Sequence, residues 1–300
     1  MIKKNSCIMG IFIFLLVLFV MITSSFADIS PLKVDDSHGP APLLSSYGED
    51  GGYEDESIKV ILSSGRIHET DYWVGRITIS YPSQLRTASA SGFESSRTMN
   101  GLALYRRMKA VLAINGDYFS YIPDGYLVRQ GTLYRDLPSG KRDILLVDDQ
   151  GDFYPVPLAD ETDLLPFKDL NVVNSFNFGP ALVIEGKRVE EYFENNNAAF
   201  KPRQRMAVAQ VERGRLEYVV VACAGPRGHN TGLTLEEFSK LVFDQGVDNA
   251  YNLDGGYSTM LMFDNAYINT GDVGNIRPIS DIIYFASAVS DPGERQDEKQ

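Results

Sequence analysis

Cysteine is nearly missing from this chain: Cys7 and Cys223 are the two in 300 residues. Cys7 lies in an N-terminal stretch with the features of a cleaved export signal, so the mature chain is expected to keep one thiol and no internal disulfide. That excludes a disulfide framework and leaves stability to a buried core. Histidine is as scarce, with His38, His68 and His229 the full set. One thiol and three scattered imidazoles put a Cys/His zinc site out of reach, so any metal would need oxygen ligands. A clustered positive stripe is absent too. Lys and Arg number 28 against 40 Asp and Glu, a formal net charge of −12, and the basic residues are scattered. A nucleic-acid surface is thereby excluded. The acidity reads as solubility outside a negatively charged cell surface.

Long apolar runs are limited to one, residues 8–22, shorter than the ~20 residues of a comfortable membrane span. Lys3 and Lys4 precede it, and Ser25-Phe26-Ala27 supplies a small-x-small cleavage pattern after it. Residues 1–27 are therefore expected to be a signal peptide cut after Ala27, with retention as an N-terminal anchor the alternative. No cysteine follows the run, so a lipoprotein-type anchor is not indicated. Export without disulfides points to a bacterial envelope or extracellular setting.

What remains divides simply. Residues 28–56 are rich in Pro, Gly, Ser and Asp without apolar period and read as a flexible linker. Residues 57–289 read as one folded domain, and 290–300 as a charged, disordered tail. Within the domain, strands are expected at 58–62, 73–81, 110–114, 126–134, 144–147, 172–176, 181–184, 206–211, 216–222 and 282–286. Gln150-Gly151, Glu185-Gly186 and Arg213-Gly214 mark hairpin turns. Helices are expected at 99–109 and 235–245. The second has Thr234 and Glu237 as a capping box and Gly246 as its stop. Many strands and few helices, without a β-α rhythm, predict an α+β fold of mainly antiparallel sheets in a single domain.

The chemistry concentrates in Tyr251-Asn-Leu-Asp-Gly-Gly-Tyr-Ser-Thr-Met260. An apolar strand runs out there into a carboxylate, two glycines and two hydroxyls. Glycines let backbone amides approach a ligand, and Asp and hydroxyls give directed hydrogen bonds. Read alone, Asp-Gly-Gly is equally a hairpin turn. A second strand ends in a similar cluster, Ala113-Ile-Asn-Gly-Asp-Tyr-Phe119. Phe176-Asn-Phe-Gly-Pro-Ala-Leu-Val183, Pro202-Arg-Gln-Arg-Met-Ala-Val208 and Gly232-Leu-Thr-Leu-Glu-Glu-Phe238 complete the set.

In this order and spacing the five segments resemble the phosphodiester glycosidase family, over roughly residues 58–286. Members hydrolyse the bond between a sugar's anomeric carbon and a phosphodiester, and bacterial relatives are usually tied to envelope or exopolysaccharide biology. The resemblance implies an N-acetylglucosamine-type or cell-envelope glycan substrate, released as sugar and phosphomonoester. It makes Arg205 the phosphate clamp, because a planar guanidinium suits phosphate oxygens. A surface arginine in a cluster with Lys201 and Arg203 is the plain alternative, and Arg203 the fallback. One departure is Tyr257, where the family often has a third glycine.

Glycosidic cleavage calls for carboxylates, and Asp254 and Asp117 are the candidates, both at strand-to-loop exits. Either is otherwise a turn residue holding local amides. Asn115, Gly116, Asn252, Gly255, Gly256, Ser258, Thr259 and Arg227 are the candidate substrate-binding residues. Asn115 and Asn252 would meet sugar hydroxyls or an acetamido group, or else hold the two loops together. Glu237 is explained by its capping box, and Cys223 reads as a buried core thiol. The sequence calls for no cofactor, though an oxygen-ligated divalent cation is compatible with it. Two rival readings use the same cleft: an envelope module that binds phosphorylated glycans without turnover, and a phosphodiesterase that cleaves P–O with metal ions.

Overall fold

The computed structural model describes residues 29–190, 200–269 and 276–290. The expected signal segment and residues 291–300 lie outside these. Among the described residues no helix is long and apolar enough to cross a membrane.

Hairpins build the frame. An eight-stranded antiparallel sheet orders Tyr53–Glu54, Ile58–Ile67, Thr70–Ile79, Glu217–Cys223, Arg205–Gln210, Asn249–Leu253, Ala181–Ile184 and Lys187–Arg188 from edge to edge. A five-stranded antiparallel sheet orders Ala266–Tyr267, Leu261–Phe263, Leu112–Asn115, Asp281–Phe285 and Leu85–Ser89. A three-stranded sheet and a two-stranded hairpin flank them.

Side-chain alternation decides the layers. Along Arg205–Gln210, Met206 and Val208 point to one core, shared with Leu112, Ile114, Ile283 and Phe285 of the five-stranded sheet. Ala207 and Ala209 point to the other, where Phe238, Leu241 and Val242 of the helix Leu235–Phe243 pack. The outer face of the five-stranded sheet, with Ala113, Ile282 and Tyr284, takes Leu104 and Tyr105 of the helix Gly101–Arg107. Helix, sheet, sheet and helix thus form one α+β domain of mainly antiparallel strands, with a third short helix at Glu161–Leu164. Each fully buried aromatic or aliphatic side chain, such as Phe238, contributes about 2 kcal/mol.

Local signals place these elements. Thr234 N–H donates to Glu237 Oε2 at 2.8 Å and Glu237 N–H to Thr234 Oγ1 at 3.3 Å, which starts the second helix. It ends at Phe243, two residues before the expected limit, and Gly246 follows with φ +72°. Gly151, Gly186 and Gly214 all take positive φ at the expected hairpins. Residues 126–134 are not one strand, however. Gln130 and Gly131 take φ +47° and +75° and fold the run into the hairpin Gly125–Arg129 and Thr132–Leu137.

The stretch expected as a flexible linker is built onto the domain from Ile29 on. Ile29 bridges Val289, and Leu32 N–H donates to Ser83 Oγ at 2.9 Å. The buried Arg86 guanidinium donates to the carbonyls of Lys33, Asp35 and Ser37. Tyr53 is fully buried. The segment is held largely through backbone carbonyls, which every residue type offers, so its polar composition gave no sign of it.

Candidate active site

Antiparallel pairing brings two strand starts and two strand ends to the same end of the large sheet. Arg205 pairs with Cys223, Met206 with Leu253, and Ala181 with Tyr251. The segments beyond them, 178–180, 201–204, 225–227 and 254–257, surround a cleft of about 740 Å³. Leu235 at the start of the capped helix lines it as well.

Its charge inverts that of the chain. Arg142, Lys201, Arg203, Arg205, Arg227 and Arg277 line the cleft, and Asp254 is the one carboxylate among the described lining residues. The whole chain carries −12. Concentrating cations there costs mutual repulsion, which an anionic ligand relieves.

Asp254 leaves the strand Asn249–Leu253 and is 8 % exposed. Its Oδ2 accepts from Arg277 Nη2 at 2.5 Å, while Arg277 Nε donates to Ser258 Oγ at 2.5 Å. Burial pushes the Asp254 carboxyl above its ordinary range, against the lowering pull of the Ser258 hydrogen bond and the Arg277 charge. Asn115 Nδ2 donates to the Asp254 carbonyl at 2.8 Å, and Asn115 Oδ1 accepts from Met260 N–H at 3.1 Å. Asn115 therefore staples the two ends of the Asp254 loop and does not line the cleft.

Arg205 does line it, at 7 % exposure. Its Nε donates to the Leu233 carbonyl at 2.9 Å and its Nη2 to the Lys201 carbonyl at 3.0 Å, which fix the guanidinium plane. Asn252 lines the wall, with Nδ2 donating to the Gly179 carbonyl at 2.7 Å and a buried Oδ1 that has no partner. Arg227, Gly255 and Gly256 are on the wall. Gly256 N–H donates to the Gln204 carbonyl at 3.0 Å, docking the Asp254 turn onto the start of the Arg205 strand. Ser258 reaches the site only through Arg277 and Asp254. Thr259 is buried behind it, with Oγ1 unpartnered.

Asp117, the other carboxylate expected at the site, is not among the residues lining the cleft. It is fully buried and pairs with Arg129 Nη2 at 2.7 Å, and its Oδ2 accepts from Asn177 N–H at 2.7 Å. Arg129 also reaches Asp281 at 3.5 Å and lies over the Phe176 ring at 4.6 Å. The strand before Asp117 belongs to the five-stranded sheet beside Asp281–Phe285, so the residue emerges into that interior ion cluster and not on the cleft wall. Gly116 belongs there also, since a Cβ on it would lie 2.1 Å from Asp281 Oδ2.

Arg277 and Arg142 are the residues that sequence reasoning passed over. Neither stands in a motif, and Arg277 meets Asp254 across 23 positions. Glu237 stays with its capping box: against burial, the Thr234 donors together with the nearby His68 and Arg205 hold its carboxyl below the usual range. Burial pushes the Cys223 thiol up to about 12, leaving it an inert core residue. Among the described residues no group of three His, Cys, Asp or Glu side chains is placed to hold a metal ion.

Comparison with known proteins bears on family and fold. An uncharacterised SPbeta prophage-derived protein of Bacillus subtilis (strain 168), YomE, is 25% identical over 213 residues, 69% of this chain. The match spans 32% of that relative, about a third of its length. The zebrafish N-acetylglucosamine-1-phosphodiester alpha-N-acetylglucosaminidase catalytic domain, auto-inhibited by its pro-peptide, superposes with a TM-score of 0.62 at 16% identity, over 83% of this chain and 87% of that one. A hypothetical protein from Synechocystis superposes with a TM-score of 0.56 at 19% identity, over 76% and 62% of the two chains. At these identities the two structures show a shared fold. The family model described as phosphodiester glycosidase matches residues 108–286, well over half of the chain, with Asp254, Arg205 and Arg277 inside the match. The chain belongs to the phosphodiester glycosidase family.

Proposed function

We propose that the protein is an exported hydrolase that cleaves the glycosidic C–O bond of a sugar-1-phosphodiester in envelope or exopolysaccharide glycans. The cleft charge carries this reading: among the described lining residues, one carboxylate, Asp254, stands with six cationic side chains in an otherwise acidic chain. Guanidinium groups pair with phosphate oxygens in a planar, two-pronged fashion and stabilise the charge that grows as phosphate departs. Glycosidases usually need a second carboxyl to protonate the leaving oxygen. A phosphomonoester leaves as a stable anion and needs no such acid, so a single carboxylate is enough.

In the proposed step, water oxygen bonds to the anomeric carbon as the C–O bond to phosphate breaks. The bond's electron pair stays on the bridging oxygen of the phosphomonoester, beside Arg205 and Arg277. The water proton passes to the Asp254 oxygen that Arg277 does not hold. Asn252 lines the wall as a residue, but its Oδ1 is buried and without a partner, so it faces the protein and not the substrate. The zebrafish relative makes N-acetylglucosamine the sugar to try first, and residues 1–27 support export.

The test is hydrolysis of an N-acetylglucosamine-1-phosphodiester in ¹⁸O-labelled water by the protein lacking residues 1–27, with Asp254→Asn as control. Free sugar carrying ¹⁸O, absent with the control, is the expected product. Sugar-1-phosphate would move cleavage to the P–O bond and overturn the reading. Binding without turnover would leave a glycan-binding module in its place.

A further inference from the structure

The loop that carries Arg227 to the cleft wall is gripped from a distant part of the chain. It leaves the strand Glu217–Cys223 and ends at the capped helix Leu235–Phe243. Its tip is a tight turn in which the Arg227 and Asn230 N–H groups each donate to the other's carbonyl at 3.0 Å. Arg227 lines the cleft from one limb of that turn. The other limb is held by the hairpin of Ile58–Ile67 and Thr70–Ile79. Arg66 Nη1 and Asp71 N–H both donate to Asn230 Oδ1, at 3.2 and 2.8 Å. Arg66 Nη2 donates to the His229 carbonyl at 2.7 Å. The Asp71 carboxylate accepts from Arg66 Nη1 at 2.6 Å through Oδ1, and its Oδ2 stands 2.8 Å from His229 Nε2. The ends of the loop are tied to the same hairpin: Ala224 N–H donates to the Asp71 carbonyl at 2.9 Å, and Thr231 N–H to the Glu69 carbonyl at 3.2 Å.

Stability does not account for this grip. The side chains of Arg66 and His229 are 42 % and 73 % exposed, and exposed ion pairs contribute little. The hairpin turn is itself unfavourable, since His68 and Glu69 take φ +45° and +53° without a glycine. What the bonds do set is the path of the Arg227 turn. Gly228 and Gly232 take φ +59° and +79°, in a region open to glycine among many others, so the loop's own backbone does not fix its tip. The hairpin supplies the missing constraint from outside, through the His229 carbonyl and the Asn230 amide.

We propose that Arg66, Asp71 and Asn230 are positioning residues that act through Arg227, holding its guanidinium where it meets the anionic part of the substrate. This rests on reading the cleft as a sugar-1-phosphodiester site. None of the three lines the cleft. Arg66 and Asp71 stand more than 150 positions before the loop they hold, and the loop reaches the substrate through Arg227.

The test is a double-mutant cycle, with amide exchange beside it. The kcat/KM for the methyl ester of N-acetylglucosamine-1-phosphate is measured on the parent, Arg66→Ala, Arg227→Ala and the double variant. Arg66→Ala should lose about tenfold through misplacement of one charged contact. Arg227→Ala should lose at least as much, and the double variant no more than Arg227→Ala alone. Arg66→Lys keeps the charge but cannot span the His229 carbonyl and the Asn230 amide, so it should restore only part. Hydrogen exchange at the Arg227 and Asn230 amides should quicken in Arg66→Ala while the strand Glu217–Cys223 exchanges as in the parent, which separates release of the loop from loss of the fold. Losses that add in the double variant, or unchanged exchange at the turn, overturn the positioning role. Where no chain cleaves the ester, the same cycle is read as affinity by calorimetry: coupling there keeps the positioning role and overturns the hydrolase reading. An ester that the parent neither cleaves nor binds overturns both.

Discussion

Arg277 Nη2 stands 2.5 Å from Asp254 Oδ2, and the same guanidinium holds Ser258 Oγ through Nε. One side chain thus fixes both the carboxylate and the turn that follows it. It also supplies the charge that opposes the effect of burial on that carboxylate. Asp254 is held between the two influences, with burial the larger.

Arg277→Ala tests that balance. Burial, which favours the protonated acid, stays, and the charge that favours the anion goes, so the Asp254 carboxyl rises further. The acid limb of the kcat/KM profile should move to higher pH, and the plateau should fall by about 10²-fold as a phosphate contact is lost. Arg277→Lys keeps a charge without the fork and should move the limb less. An acid limb that stays in place in Arg277→Ala would show that the two residues are not coupled.

Arg205→Ala should reduce kcat/KM by about 10²-fold and also lower stability by about 1–3 kcal/mol, because the carbonyls of Leu233 and Lys201 lose charged donors. Arg205→Lys cannot reproduce two directed bonds plus a phosphate contact, so it should recover little activity. Denaturant titration separates the two effects. Turnover like the parent's in Arg205→Ala would remove the residue from the mechanism.

How much of this was legible in the sequence follows from how local each feature is. The Asp254 cluster was visible because its carboxylate, glycines and hydroxyls are contiguous, and the Thr234 cap because its two partners are three residues apart. The placement of Asp117 was not. Asn115 pairs with Ile282, and only that register puts Asp117 beside Arg129 and Asp281 instead of in the cleft. Arg277 and Arg142 reach the site through tertiary contacts and leave no local pattern. The turn at His68 and Glu69 takes two positive φ values without a glycine, so nothing in composition flags it. Gln130-Gly131 interrupts an apolar run whose periodicity continues on both sides.

The buried Asp117–Arg129–Asp281 cluster makes a pH prediction. Burial, then the Asp117 charge, push the Asp281 carboxyl up, while Arg129 pulls it down. A carboxyl whose folded value is raised keeps a proton that the unfolded chain has released. The stability it contributes is full below its ordinary acid range and is lost as pH rises through the folded value. Asp281→Asn removes that loss, so its unfolding free energy should improve relative to the parent from acid to neutral pH. The opposite trend would mean that Asp281 is ionised in the fold at all those pH values. Arg129→Met strands the buried Asp117 carboxylate beside Asp281 and should cost about 3–5 kcal/mol.

Gly255 and Gly256 look interchangeable in sequence, and the structure separates them. A Cβ on Gly255 would stand 2.7 Å from the Gln204 carbonyl oxygen and 3.8 Å from Arg205 Cα. These are backbone atoms of the segment entering the Arg205 strand, and they cannot swing aside as a side chain would. A Cβ on Gly256 would meet nothing within 4 Å, but its φ of +61° is left-handed. Gly256→Ala should therefore cost about 1 kcal/mol of stability and leave the cleft in place. Gly255→Ala has to push the Asp254 turn off the neighbouring strand, which widens the gap between Asp254 and Arg205. A displacement of that kind costs about 10²-fold in kcat/KM. Unfolding and kinetics measured on both variants should show activity lost far beyond stability at Gly255 and the two nearly in step at Gly256. Near-parent kcat/KM for Gly255→Ala would mean that the close approach of the two strands does not set the spacing of the site.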